Sequence, residues 1–457
     1  DQLNTNDINT MKASGLVGQC IDYINSCSRY PRERLAVSAA LTAISNIAGL
    51  RFEDKEYGVT PNLFCFNVAG SATGKEAIQQ ALTELHVCAG VGGAVYGSIK
   101  SEQEIYRNVL RHQLVGYSID EFGITLNKIE QSSKGGSASY MAGVIGALMS
   151  IYSKANGKLP LGADFASDLL EGINKNMAAI NKKADENTAT EQDLVKIESL
   201  KKLAIELNNG YINSPYLALT GYTTPTTFNS LVTYAQATNG FIGRAILFEE
   251  KDNNPRAKKK FKKGAISNEL EHELRKLRSG GFAEVFEAPR IEFTHEKTQI
   301  LTDDDAKALL DEIQDELHDT AALAMETNGL EAIARRSFEL VLKVSMILAM
   351  GDGGIRTVEH VRWSYALIKQ DLDNKINLAS ANIAEKEKDA SNEILSKVRH
   401  SLDKKNEITL GAIANKMRSI KRENIEKALK HLVAIGEVLE IKPTNEKGRK
   451  AEKYKLA

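Results

Sequence analysis

Between residues 8 and 50 the apolar positions recur at helical spacing: Met11, Leu16, Val17, Cys20, Ile21 and Ile24, then Leu35, Ala36, Ala39, Leu41, Ile44 and Ile47. The spacing predicts two helices, broken around Tyr30-Pro31 because a proline pushes the residue before it out of helical geometry. The pattern then changes. Asn62-Leu63-Phe64-Cys65-Phe66-Asn67-Val68 is short, apolar and aromatic, which predicts a buried strand. A glycine-containing loop follows, then a helix over 75–86. Three further runs of the same kind, 113–119, 216–219 and 244–248, predict strands. Strands separated by helical stretches imply a parallel sheet covered by helices, an α/β class.

A long helical insertion lies between the second and third of these strands. Leu170, Ile173, Met177 and Ile180, then Ile197, Leu200, Ala204 and Leu207, mark two helices joined by a polar stretch from Lys182 to Thr190. They form either a projecting antiparallel hairpin, about 165–210, or two helices packed on the same domain. The Lys-dense break 252–265 reads as a solvated linker. A helical region follows to about 388, with one strand expected near Arg290–Phe293 and a core helix over Leu330–Met350. The boundaries that result are an N-terminal helical segment (1–55), an α/β core (56–252), a helical extension (253–388) and a C-terminal domain (389–457).

Charge sharpens the last boundary. The chain as a whole has a net charge of -1. From Ser391 onward 16 Lys and Arg face 9 Asp and Glu, a net of +7, so the remainder carries -8. A basic tail domain thus follows an acidic body. No apolar stretch approaches the roughly 20 residues needed to cross a bilayer, which excludes a membrane-spanning helix. Cys20, Cys27, Cys65 and Cys88 show neither CxxC spacing nor a disulfide framework, so a reducing, cytosolic setting is expected. The start at Asp1 rather than Met points to a fragment or a processed chain.

The candidate chemistry begins after the first strand. Ala69-Gly70-Ser71-Ala72-Thr73-Gly74-Lys75-Glu76 approximates the phosphate loop GxxxxGK[ST], whose backbone N–H groups wrap phosphates. It departs twice, with Ala69 for the first Gly and Glu76 for the Ser or Thr that holds magnesium. Glu76 either binds Mg²⁺, directly or through a water, or marks a site that binds nucleotide without efficient hydrolysis. The second strand ends in Ile119-Asp120-Glu121-Phe122. On a strand adjacent to the loop, such a carboxylate can hold hydrated Mg²⁺ and the next can polarise a water.

Four stretches then occur in order: Asn62-Leu63-Phe64, Ile119-Asp120-Glu121-Phe122-Gly123, Leu219-Thr220-Gly221-Tyr222-Thr223-Thr224-Pro225 and Asn239-Gly240-Phe241-Ile242-Gly243-Arg244. Together they resemble the phage, plasmid and genomic-island primase/helicase proteins, a branch of the P-loop ATPases, over about 60–380. The resemblance implies an AAA+/RecA-like three-layer core with a helical lid. It also implies a ring-forming, hexameric assembly driven by ATP and Mg²⁺, working on DNA in a bacterial host cytoplasm beside a primase or other replication partner. On matching positions, Lys75 would bind phosphates, Asp120 the metal, and Glu121 would be the catalytic base. Thr220 and Thr224 would sense the γ-phosphate, and Arg244 would be a finger or sensor, with Arg335 and Arg336 as competitors.

In the tail, helix, strand, two helices and a hairpin follow one another in the order of a winged helix. Lys421, Arg422, Asn424, Lys427 and Lys430 on its third helix, with Lys447, Arg449 and Lys450 at the hairpin tip, suit DNA, the alternative being a protein-docking winged helix whose charges are simply solvated. The functional expectation is an ATP-dependent DNA helicase or translocase. Its rivals are an ATP-gated initiator or switch, a DNA-binding regulator on a relic ATPase fold, and an antiphage ATPase.

Overall fold

The computed structural model describes residues 2–111, 114–133, 143–231, 240–252, 254–279, 297–327, 330–402, 406–434, 436–441 and 452–456. The strand expected at 290–293, residues 134–142, Asn239 and the basic tip expected at 447–450 lie outside them. The chain divides into two compact units, 1–378 and 379–457.

The first unit is mixed α/β, built on five parallel strands: β1 (Phe64–Val68), β2 (Val95–Tyr96), β3 (Gly116–Ile119), β4 (Ala218–Thr223) and β5 (Ala245–Glu249). They are ordered β2-β3-β4-β1-β5. Every neighbouring pair runs parallel, with Phe64 level with Leu219 and Ala245, and Ile119 level with Gly221. All carboxyl ends therefore share one edge. Such continuous apolar strands are stable only when both faces are covered, and both are. Phe64, Phe66 and Val68 face a cluster that includes Phe122, Tyr152, Phe228 and Phe241, with ring centroids of Phe66 and Phe122 5.1 Å apart. On the other face lies the helix Glu33–Ala48, in which every residue from Leu35 to Ala48 is buried. The N-terminal helices thus complete the sheet's second layer.

The third strand runs further than its apolar pattern predicts. Thr220 and Gly221 look like turn residues but lie within β4. The reason is packing. A Cβ on Gly221 would come within 2.4 Å of the Phe122 ring, so the glycine is the recess into which that ring fits.

The helical insertion is an antiparallel pair, Ala163–Asp185 and Glu191–Asn208. Leu169, Ile173, Leu203 and Leu207 join the core cluster, so the pair is rooted in the sheet domain at that end. Thr190 and Asp193 form a reciprocal capping box at the start of the second helix. The Lys-rich stretch is tied down rather than free: the Lys258 and Gly264 N–H groups donate to the carbonyls of Arg29 and Ser26. Lys263 pairs with Glu84 at 2.8 Å.

The second unit has its own core of Val398, Ile413, Ile425, Leu429, Leu432 and Val438. Its helices Leu410–Lys416 and Arg422–Ala434 accompany a three-stranded antiparallel sheet of Ile408–Thr409, Lys453–Leu456 and Val438–Ile441, in that spatial order.

Candidate functional site

The loop 69–74 joins β1 to the helix Lys75–Cys88. Two residues give it a curvature that ordinary backbone resists. Gly74 has φ +99° and Ala72 φ +56°, both left-handed. Thr73 is buried and its hydroxyl donates to the Gly70 carbonyl at 2.7 Å, bracing the turn from inside. Ser71, Ala72 and Glu76 are exposed, and Gly70 and Lys75 half-buried. Glu76 occupies the helix's first turn. A carboxylate there is favoured by the helix dipole, and it competes with any anion seeking the same amides.

Lys75 donates to the carbonyls of Ala69 and Thr223, each at 3.2 Å. Its ammonium is therefore held at the carboxyl edge of β1 and β4. Burial lowers its pKa, while the charges of Glu121, then Asp120, raise it. Those carboxylates act on the ammonium from across the sheet edge, although neither pairs with it directly.

The acidic pair does not arrive from the neighbouring strand. β4 stands between β3 and β1, so two strand spacings, about 10 Å, separate the pair's strand from the loop's. Glu121 adopts φ +52°, a conformation costly for a residue with a Cβ and found at functional sites more than elsewhere. The corner around it is built tightly. Asp120 accepts from the Glu121 N–H at 3.0 Å, and the Ile124 N–H donates to the Glu121 carbonyl at 2.9 Å. A Cβ on Gly123 would meet Thr223 Oγ1 at 2.4 Å and Thr227 Cγ2 at 2.5 Å. Asp-Glu-Phe-Gly is thus one device, in which Phe122 plugs the Gly221 recess, Gly123 seats on Thr223, and Asp120 and Glu121 are left exposed at the corner.

Thr220 does not stand at this edge. It is buried within β4, its hydroxyl accepting from Asn67 Nδ2 at 2.9 Å, three residues before the strand ends. Thr224 is at the edge but opens the helix Pro225–Leu231, its carbonyl accepting from the Phe228 N–H and its hydroxyl pairing with that of Thr227 at 3.0 Å. Thr223, whose carbonyl takes both Lys75 Nζ and the Ala69 N–H, is the strand-end residue nearest the loop's own bonding.

Arg244 ends a single helical turn, Phe241–Arg244, just before β5. That is the amino edge of the sheet, because Ala245 is level with Phe64. Five residues of strand, roughly 16 Å, separate it from the loop edge. Its guanidinium folds back onto the Gly240 carbonyl at 2.9 Å and Ser153 Oγ at 3.3 Å, beside Arg336. Arg244 and Lys75 of one chain do not meet. The sequence already implies this: in a parallel sheet a residue that opens a strand lies at the edge opposite a loop that follows one, so the expected finger or sensor role cannot be played toward the same chain's loop.

Sequence reasoning misses Arg32 altogether. It is fully buried against the loop, with Nε donating to the Thr73 carbonyl at 2.6 Å and Nη1 to the Asp252 carbonyl at 2.7 Å. Its only sequence signal is a position after a helix break, in a stretch rich in charge.

No group of three or more His, Cys, Asp or Glu side chains among the described residues is arranged to hold a metal. Mg²⁺ suits what is present, because it binds through one or two carboxylates and fills its remaining positions with water and phosphate oxygen. Asp120, exposed at the corner, could supply such a carboxylate.

In the second unit, Lys421, Arg422, Asn424 and Lys427 are exposed at the start of the Arg422–Ala434 helix. Two of the cations are already engaged: Arg422 with Glu426 at 3.1 Å and Lys427 with Glu423 at 2.9 Å. Lys421 and Lys430 form no ion pair among the described residues. Lys447, Arg449 and Lys450 lie outside those residues. No described helix is long and apolar enough to cross a membrane, and all four cysteines are free thiols. Compared with known proteins, the chain matches no family model and no curated protein.

Proposed function

We propose that this chain is an ATP-driven motor acting on DNA, a helicase or translocase of the primase/helicase kind it resembles. One observation carries the reading. A left-handed glycine loop with its lysine, and a left-handed acidic corner, end different strands at the same edge of one parallel sheet, close enough for Glu121 and Asp120 to act on the Lys75 ammonium. Ligands of open α/β sheets bind outside the carboxyl ends of the strands, where these residues stand.

In this reading the loop amides of 70–75 and Lys75 hold the phosphates of ATP, and Asp120 holds Mg²⁺. The bound nucleotide supplies the phosphoanhydride whose cleavage drives movement. The Glu121 carboxylate accepts the proton of the attacking water. Arg244, at the far edge, could serve phosphates only of a neighbouring subunit, so its catalytic role requires a homo-oligomer. The second unit, with the element order of a winged helix, supplies the DNA contact, its +7 tail favouring a polyanion.

Turnover of ATP with and without single-stranded DNA, in the native chain and in Glu121→Gln, tests this. The expected result is DNA-stimulated hydrolysis that falls by about a hundredfold or more in the variant while nucleotide binding persists. A native chain that hydrolyses nothing under either condition contradicts it. A second reading, an ATP-gated switch or initiator, is favoured by Glu76, whose charge sits where a magnesium-binding hydroxyl is usual. Robust turnover without strand displacement would select it.

A further inference from the structure

The guanidinium of Arg32 is buried at 0 % exposure and satisfied on two sides by carbonyls alone, those of Thr73 and Asp252. Its third nitrogen, Nη2, has no hydrogen-bond partner among the described residues. No described carboxylate forms an ion pair with it. Glu250 is the acid whose charge it influences, but that carboxylate is committed to the N–H groups of Arg34 and Leu35, at 2.8 and 3.3 Å. A buried cation without a paired anion is costly, and arginine cannot escape by losing its proton. Such an arrangement persists where something outside the protein supplies the opposite charge.

The location indicates what does. Arg32 holds the carbonyl of Thr73, the residue before Gly74 and Lys75. A loop that turns its N–H groups toward a phosphate turns carbonyls away from it, and these need donors within the protein. The Arg32 charge also acts on Lys75, lowering its pKa, so the two cations share one electrostatic region. Tyr30, two residues earlier, packs against Gly74, where an added Cβ would lie 3.2 Å from the tyrosine Cβ. The turn Tyr30-Pro31-Arg32 therefore backs the loop by contact as well as by charge.

We infer that Arg32 is a positioning residue of the nucleotide site, fixing the phosphate loop through the Thr73 carbonyl and giving it a buried positive charge whose counter-ion is a polyphosphate. The inference rests on the nucleotide reading above. It makes the site selective for the number of phosphates: the charge beneath the loop is worth most to a triphosphate and least to a monophosphate. The bond to Asp252 joins the same guanidinium to the segment that follows β5, so the loop is anchored to the edge strand as well.

The test is equilibrium binding of ATP, ADP and AMP, each with Mg²⁺, to the full chain and to Arg32→Gln, Arg32→Lys and Lys75→Ala. Gln keeps a donor at the Nε position for the Thr73 carbonyl and removes the charge together with the bond to the Asp252 carbonyl. Lys keeps the charge and loses the fork. In Arg32→Gln, ATP affinity falls by about tenfold or more while AMP affinity falls by about threefold or less. Arg32→Lys retains the native ATP-over-AMP ratio. Equal weakening of all three nucleotides in Arg32→Gln, or no weakening, overturns the inference, as does a Lys variant that loses the ratio as far as Gln does. If the native chain binds none of the three, the nucleotide reading itself fails. If it binds them and Lys75→Ala does not, while Arg32→Gln behaves as native, only the role of Arg32 fails.

Discussion

At the scale of single residues, small side chains let larger ones approach and so set the geometry of the acidic corner. Gly123 is the clearest case. Gly123→Ala places a methyl against Thr223 and Thr227, forcing the corner to shift at a cost of about 1–3 kcal/mol in stability. The expected outcome is a fall in kcat of about tenfold or more with the chain still folded, measured by steady-state turnover beside a urea titration; unchanged turnover would mean the corner tolerates displacement. His86 gives a separate, pH-based prediction. It is fully buried, its Nε2 facing the Asn46 amide at 3.2 Å, and burial lowers its pKa from 6.5 to about 4. The unfolded chain takes up that proton more readily than the folded one. The resulting stability is fully present above pH 6.5 and is lost as pH falls toward 4, about 3 kcal/mol in all. Urea midpoints at pH 7 and pH 4.5 should differ less in His86→Leu than in the native chain; equal differences would contradict this. The placement of Lys75, Asp120 and Glu121 just beyond strand ends is legible in the sequence because a strand and the loop that follows it are local patterns. Arg32 is not, because its partner carbonyl lies 41 residues away and its place after a helix break in a charged stretch does not point to the loop.

Among elements, the strand runs can be read but not their order. Apolar pattern marks β1, β3 and β5 within a few residues, whereas the insertion of β4 between β1 and β3 depends on crossovers that leave no periodic trace. β4 itself is extended by Thr220 and Gly221 for the sake of Asn67 and Phe122, neighbours the pattern does not contain. The edge strand β5 shows another non-local device. The helix Val358–Ser401 presents Asp371 and Lys375, paired at 2.5 Å and almost wholly buried. Asp371 accepts from the Leu247 N–H at 2.7 Å, and Lys375 donates to the Ala245 carbonyl. Side chains thus satisfy the edge that another strand would otherwise pair. Asp371→Ala strands a buried ammonium and an amide, and should cost about 3–5 kcal/mol by urea unfolding. Asp371→Leu with Lys375→Met removes the unpaired charge but leaves the Leu247 N–H and the Ala245 carbonyl without those partners, so it should cost less than the single change yet remain destabilising by about 1–3 kcal/mol or more. A double variant as unstable as the single would show that closing the edge, rather than compensating the buried charge, carries the pair's contribution.

For the whole molecule, the proposed DNA contact falls to the C-terminal unit because that is where the sequence concentrates positive charge, and the structure narrows which cations are available there. Arg422 and Lys427 are held by glutamates one turn away. Lys421 and Lys430 are exposed without ion pairs among the described residues. Replacing these two with Ala should weaken DNA binding. It should also reduce the slope of log affinity against log salt by about 0.9 for each duplex phosphate no longer neutralised. Replacing Arg422 and Lys427 should change the slope less. Equal slopes for both pairs would move the DNA-binding surface elsewhere.

The most direct check is a structure of the full chain with a non-hydrolysable ATP analogue and Mg²⁺. The nucleotide reading predicts the terminal phosphate against Lys75, the metal on the Asp120 side and Glu121 facing the phosphorus from the position of the attacking water. Nucleotide bound elsewhere, with the 69–75 loop empty and its lysine still folded onto Ala69 and Thr223, would contradict it.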